Sequence, residues 1–75
     1  MNINDNPTSS ASQNAQIAAY LMDGNKLTQL DALNLFGCFR LASRIHDLRE
    51  RGLNIVKERI QTSSGKYVAQ YSLQN

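Results

Sequence analysis

TQLDALNLFGCFRLASRIHDLRERG, running from Thr28 to Gly52, has the 3.6-residue apolar period of two amphipathic helices separated by a glycine. Thr28 with Asp31 three residues on has the spacing of a capping box, in which each side chain bonds the other residue's backbone amide. The helix so begun is predicted to bury Leu30, Ala32, Leu33 and Phe36 and to end at Gly37. A second helix is predicted over Phe39 to Arg51, stopped by Gly52, a residue that tolerates the left-handed conformation common at helix ends.

The second helix is two-sided. At 100° per residue, Arg40, Arg44, Asp47 and Arg51 fall within about 60° of one another, with Leu41, Ala42, Ile45 and Leu48 grouped about 125° away. The apolar group is expected to dock on the other helices, leaving the arginine stripe outward with Ser43 beside it. Such a helix fits the major groove of duplex DNA, where Arg bonds guanine O6 and N7 and Asp accepts from the cytosine amine. Arg40, Ser43 and Arg44 are therefore expected at base edges, with Asp47 reading cytosine or orienting Arg44 or Arg51, and Arg51 on phosphate. The spacing of Arg44, Asp47 and Arg51 equally describes an exposed ion-pair ladder. Arg49 lies nearer the apolar side, where a backbone carbonyl or an ion pair is its expected partner.

Outward from this segment, Ala15, Ile17, Ala18, Tyr20, Leu21 and Met22 predict an earlier helix that starts at Ser9, Ser10 or Ser12 and stops at Gly24. Residues 1–11, with few large apolar side chains, are expected to be a flexible tail, and residues 12–74 one domain. After the turn Asp23-Gly24-Asn25-Lys26, Leu27 is expected in a very short strand. Beyond Gly52, LNIVKERIQT and KYVAQYSL are β-prone runs around Ser63-Ser64-Gly65, a predicted hairpin. In the last run Tyr67, Ala69, Tyr71 and Leu73 share one face. Lys57 and Arg59 share a face of the first hairpin strand, and Ser63, Ser64 and Lys66 surround its tip, where hydroxyls and an ammonium can meet phosphate.

A chain of 75 residues allows one small core. Its lone Cys38 and lone His46 supply neither a disulfide framework nor a zinc ligand set. They lie about 12 Å apart along a helix axis, too far for a nucleophile and base, so no enzyme activity, cofactor or metal is expected. Cys38 reads as a small buried turn residue and His46 as a partly exposed helix residue. No apolar run approaches the roughly 20 residues that span a bilayer, and no signal-peptide pattern opens the chain, so a cytoplasmic protein without a membrane or small-molecule partner is expected. The net charge of +2 is unevenly spread. Residues 1–35 set Lys26 against Asp5, Asp23 and Asp31, a balance of −2, whereas residues 36–75 set Arg40, Arg44, Arg49, Arg51, Lys57, Arg59 and Lys66 against Asp47, Glu50 and Glu58, a balance of +4. That concentration suits a polyanionic partner.

Helix, short strand, helix, helix, strand, strand is the element order of a small α+β winged helix-turn-helix, three helices plus a C-terminal β-hairpin wing. The residues Leu27-Thr28, Asp31-Ala32, Phe36-Gly37, Arg40-Leu41-Ala42, Arg44-Ile45, Leu48-Arg49, Gly52 and Ile55 resemble the winged helix-turn-helix domains of small bacterial and bacteriophage proteins. In particular they resemble an uncharacterised phage and prophage family with the string R-[IL]-x-x-L-R-x-x-G before a basic hairpin. The resemblance covers roughly residues 14–73 and implies a binder of duplex DNA in a bacterial host cell, engaged in transcription or recombination control. Unlike better-studied regulators, the chain pairs the domain with no expected effector domain or dimerisation helix. Specific binding would then call for self-association or a protein partner. The alternative is a protein-interaction module that uses the same scaffold to bind a host or phage protein. An RNA binder is disfavoured by the lack of a stacking aromatic platform.

Overall fold

A computed structural model describes residues 10–74 of the chain. Its elements are α1 (Ser10–Met22), β1 (Leu27–Thr28), α2 (Gln29–Phe36), α3 (Leu41–Glu50), β2 (Ile55–Gln61) and β3 (Tyr67–Leu73). The tail expected over residues 1–11 lies, as far as residue 9, outside the described residues, and Ser10 and Ala11 already belong to α1. The three strands form one antiparallel sheet in the order β1-β3-β2, so the short β1 closes the far side of β3.

Each helix stops for a local reason. In α1, Gly24 (φ 92°) donates to Leu21 O at 3.0 Å and Asn25 to Tyr20 O at 3.3 Å. In α3, Gly52 (φ 102°) donates to Arg49 O at 3.0 Å and Leu53 to Leu48 O at 3.1 Å. Both are Schellman closures, which satisfy carbonyls that the last turn of a helix leaves open. The capping box of α2 forms as its spacing predicts: the Asp31 amide donates to Thr28 Oγ1 and the Thr28 amide to Asp31 Oδ2, each at 3.2 Å. The hairpin closes over Ser63-Ser64-Gly65, with Thr62 N donating to Lys66 O at 2.7 Å and Gly65 at φ 88°.

The core is aliphatic and draws on every element. Ile17 and Leu21 of α1, Leu27 of β1, Ala32 of α2, Leu41, Ile45 and Leu48 of α3, Ile55 of β2 and Tyr71 of β3 are all buried, as is Cys38 in the turn. Tyr20 meets Phe36 edge-on, with ring centroids 5.5 Å apart, and ties α1 to the end of α2. Several expected core positions differ. Leu30 is 65% exposed, Met22 67% exposed, and Ala15 and Ala42 face solvent. Leu30 stands about 200° around α2 from Ala32, so a two-turn helix that buries Ala32 and half-buries Phe36, one turn later, turns Leu30 away.

The second helix of the motif starts two residues later than the apolar pattern predicts. Phe39 is 80% exposed, and Arg40, at φ −133° and ψ 67°, is outside the helix and supplies no side-chain cap. Two glutamines hold the turn instead. Gln29 Nε2 donates to Cys38 O at 2.6 Å while its Oε1 accepts from Leu41 N, the first amide of α3, at 2.7 Å. From the other side the largely buried Gln13 donates through Nε2 to Gly37 O at 3.3 Å and Phe36 O at 3.5 Å.

Because one side-chain amide serves as donor and acceptor across the turn, Gln29→Ala is expected to lower stability by about 1–3 kcal/mol, the net worth of two part-buried hydrogen bonds. Urea unfolding measures it. Gln29→Glu, which keeps an acceptor for Leu41 but sets a second oxygen against the Cys38 carbonyl, should lose a similar amount; an unchanged midpoint for either variant would refute the clamp.

Candidate nucleic-acid interface

The face that α3 turns to solvent is not the arginine stripe. Leu41, Ile45 and Leu48 are buried, while Ala42, His46 and Glu50, spaced four residues apart, are exposed with Ser43 beside them. Arg44, expected outward, keeps only 18% of its side chain exposed and pairs with Asp47 at 3.5 Å, Asp47 being 38% exposed. The physical reason is angular. A stripe about 125° from the apolar centre lies on the flank of a helix, and here that flank leans on the N-terminal part of α1. Arg40 and Arg44 line a recess of about 330 Å³ there with Gln13, Gly37 and Phe39. His46 Nε2 lies 3.5 Å from Glu50 Oε2, both side chains well exposed, so the outward strip carries an acid of its own.

Several cations are occupied. Lys26 reaches Glu58 at 4.0 Å across the sheet. Arg49 donates through Nε at 3.1 Å and Nη2 at 2.9 Å to Ile55 O, the backbone carbonyl expected as one of its partners, and so pins the end of α3 to β2. Arg44 is engaged with Asp47. Arg40 and Arg51 at the two ends of α3, together with Lys57, Arg59 and Lys66 on the wing, are exposed and enter no ion pair among the described residues. The expected stripe therefore separates into two exposed ends and a braced centre.

On the wing, β2 and β3 pair Lys57 with Tyr71, Arg59 with Ala69 and Gln61 with Tyr67. Residues directly opposite in an antiparallel pair project on the same face, so Lys57, Arg59 and Tyr67 stand together. Arg59 Cζ lies 4.8 Å from the Tyr67 ring centroid. Ser64 is exposed at the tip, its Oγ 2.9 Å from Thr62 Oγ1.

Three contributors escape the sequence reading. Gln13 and Gln29 carry no signal in residue type or period. Tyr67 does: a three-residue loop at Ser63-Ser64-Gly65 sets Gln61 opposite Tyr67, which makes Arg59 its diagonal neighbour. Among the described residues no helix is long and apolar enough to cross a membrane, and no cluster of His, Cys, Asp or Glu could hold a metal. Cys38 is buried in the turn, and His46 is exposed on α3.

No curated protein and no solved structure matches the chain. A family model described as a winged helix-turn-helix domain matches residues 12–75. A domain of that kind suggests DNA binding in general. With two helices joined through a glycine turn, a third packed across them and a basic hairpin beside the second, the chain belongs to the winged helix-turn-helix family.

Proposed function

We propose that the domain binds duplex DNA through the N-terminal part of α3 and the wing, as a small regulator of transcription or recombination. The observation that carries this reading is the placement of five cations that enter no ion pair among the described residues, Arg40, Arg51, Lys57, Arg59 and Lys66, at the ends of α3 and along the wing. Arg40 and Ser43 stand where α3 would enter a major groove, and Arg51, Ser64 and Lys66 suit the phosphates on either side. Arg44 pairs with Asp47 three residues on in the same helix, on the flank beside these residues. The bacterial or phage setting, and with it a cytoplasmic location, rests on the motif resemblance.

Binding should be electrostatic and steeply salt-dependent. Neutralising at most five phosphates gives a slope of log K against log salt no steeper than about −4.5. Titration of ¹⁵N-labelled protein with a mixed-sequence duplex should shift Arg40, Ser43, Arg51 and Lys66 at low salt and release them at moderate salt. Silence at all four positions at low salt removes this reading. Arg40→Ala and Arg51→Ala should each flatten the salt slope by about one. Glu50→Gln, which strips a negative charge from the outward strip of α3, should tighten low-salt binding by about two- to fivefold.

A second reading, a protein partner or a second copy of the chain, is favoured by one feature. The exposed Leu30 joins Ala42, Ile60, Thr62 and Val68 around a mainly apolar recess of about 240 Å³ between the starts of α2 and α3 and the wing. Sedimentation of the protein alone tests the second copy: a dimer abolished by Leu30→Glu supports it, and a monomer at all concentrations removes it.

A further inference from the structure

The wing holds one arginine against an aromatic ring. Among the described residues Arg59 is neither paired with an acid nor bonded to a carbonyl; its guanidinium lies over the ring of Tyr67, with Cζ 4.8 Å from the centroid. Tyr67 is itself 57% exposed, too open to count as core. Lys57, two residues before Arg59 on β2, shares the face, about 7 Å away along the strand. The acid between them in sequence, Glu58, projects to the opposite face and is drawn to Lys26 at 4.0 Å. Lys57, Glu58, Arg59, Tyr67, Val68 and Ala69 line a shallow recess of about 280 Å³, so the acid borders it beside the two cations.

We infer that Tyr67 is a positioning residue of the wing: its ring restrains the Arg59 guanidinium for a backbone phosphate of duplex DNA, with Lys57 beside it as a second positive charge. The inference rests on the DNA-binding reading and deepens it. A ring against the face of a guanidinium restrains a long side chain while leaving its charge and its N–H edge free. That edge matches two oxygens of one phosphate, which a lysine ammonium meets only as a point charge. An acid partner would restrain the same side chain but cancel the charge on which phosphate binding depends. Lys57 and Arg59 stand close enough to meet one phosphate or two successive ones, and such contacts set register on the duplex without reading bases.

Fluorescence anisotropy with a labelled mixed-sequence duplex tests this role across a salt series, with a thermal melt of each variant as the folding control. Tyr67→Leu is expected to weaken binding by about two- to fivefold, the scale of an exposed cation–π contact, while Tyr67→Phe, which keeps the ring, binds as wild type. Arg59→Gln should flatten the salt slope by about one, and Arg59→Lys should keep the slope but lose affinity. If Tyr67→Leu and Arg59→Gln bind as wild type while Arg40→Ala and Arg51→Ala lose affinity, the positioning role is overturned and DNA binding through α3 stands. If wild-type protein fails to bind duplex at the lowest salt, both readings fall.

Discussion

The side chain of Gln29 decides where α3 begins. Arg40 offers no cap, and the apolar pattern alone would let the helix start at Phe39; the bond from Leu41 N to Gln29 Oε1 sets the first helical amide instead. The same amide group reaches back to Cys38 O, so one residue at the start of α2 joins the turn to α3. With Gln13 holding Phe36 and Gly37 carbonyls from α1, the turn is bonded on two sides. Backbone groups away from regular helix and sheet must be satisfied somewhere; in this four-residue connection the Gly37 and Cys38 amides return to Leu33 O and Ala32 O of α2, and the Gly37 and Cys38 carbonyls are met by the two glutamine side chains. The orientation of everything α3 carries follows from this arrangement.

A domain of this size also spends its cations on holding itself together. The Arg49 guanidinium bonds Ile55 O and so fixes the angle between α3 and the sheet. Arg44 pairs with Asp47 on the flank beside α1. Both guanidiniums thus have partners inside the domain. What remains is positive charge at the two ends of α3 and on the wing, with His46 and Glu50 between. A phosphate backbone would then meet the domain at separated points, an arrangement suited to setting position more than to reading bases.

Element order, the capping box at Thr28, the glycine stops and the hairpin loop were legible in the sequence because each is local: a side chain and the amide it bonds lie within a few residues. Burial was less so. Leu30 reads as core by residue type, yet a helix of two turns has one buried stripe and Ala32 occupies it. Arg44 reads as outward because charge implies solvent, but 125° from an apolar centre is a flank, and which neighbour covers that flank depends on how α1 crosses. Gln29 was invisible for a different reason. A glutamine that completes a turn twelve residues away has no signature in period, propensity or charge. Tyr67 sits between these cases, since the loop length that fixes the register also fixes its diagonal contact with Arg59.

The three restrained arginines show what each kind of partner costs a binding surface. Asp47 holds Arg44 and offsets its charge. The Ile55 carbonyl holds Arg49 without an opposing charge but takes the Nε and Nη2 donors that would face a phosphate. The Tyr67 ring holds Arg59 with no opposing charge and no carbonyl on its donors, so its charge survives. Ordering a free arginine side chain on binding costs up to about 2 kcal/mol of rotamer entropy, and a partner that meets part of that cost beforehand without neutralising the group leaves more of the contact as affinity. Of the three, only the aromatic partner suits a residue whose task lies outside the domain, which is why the wing, more than the centre of α3, has the chemistry of a phosphate anchor.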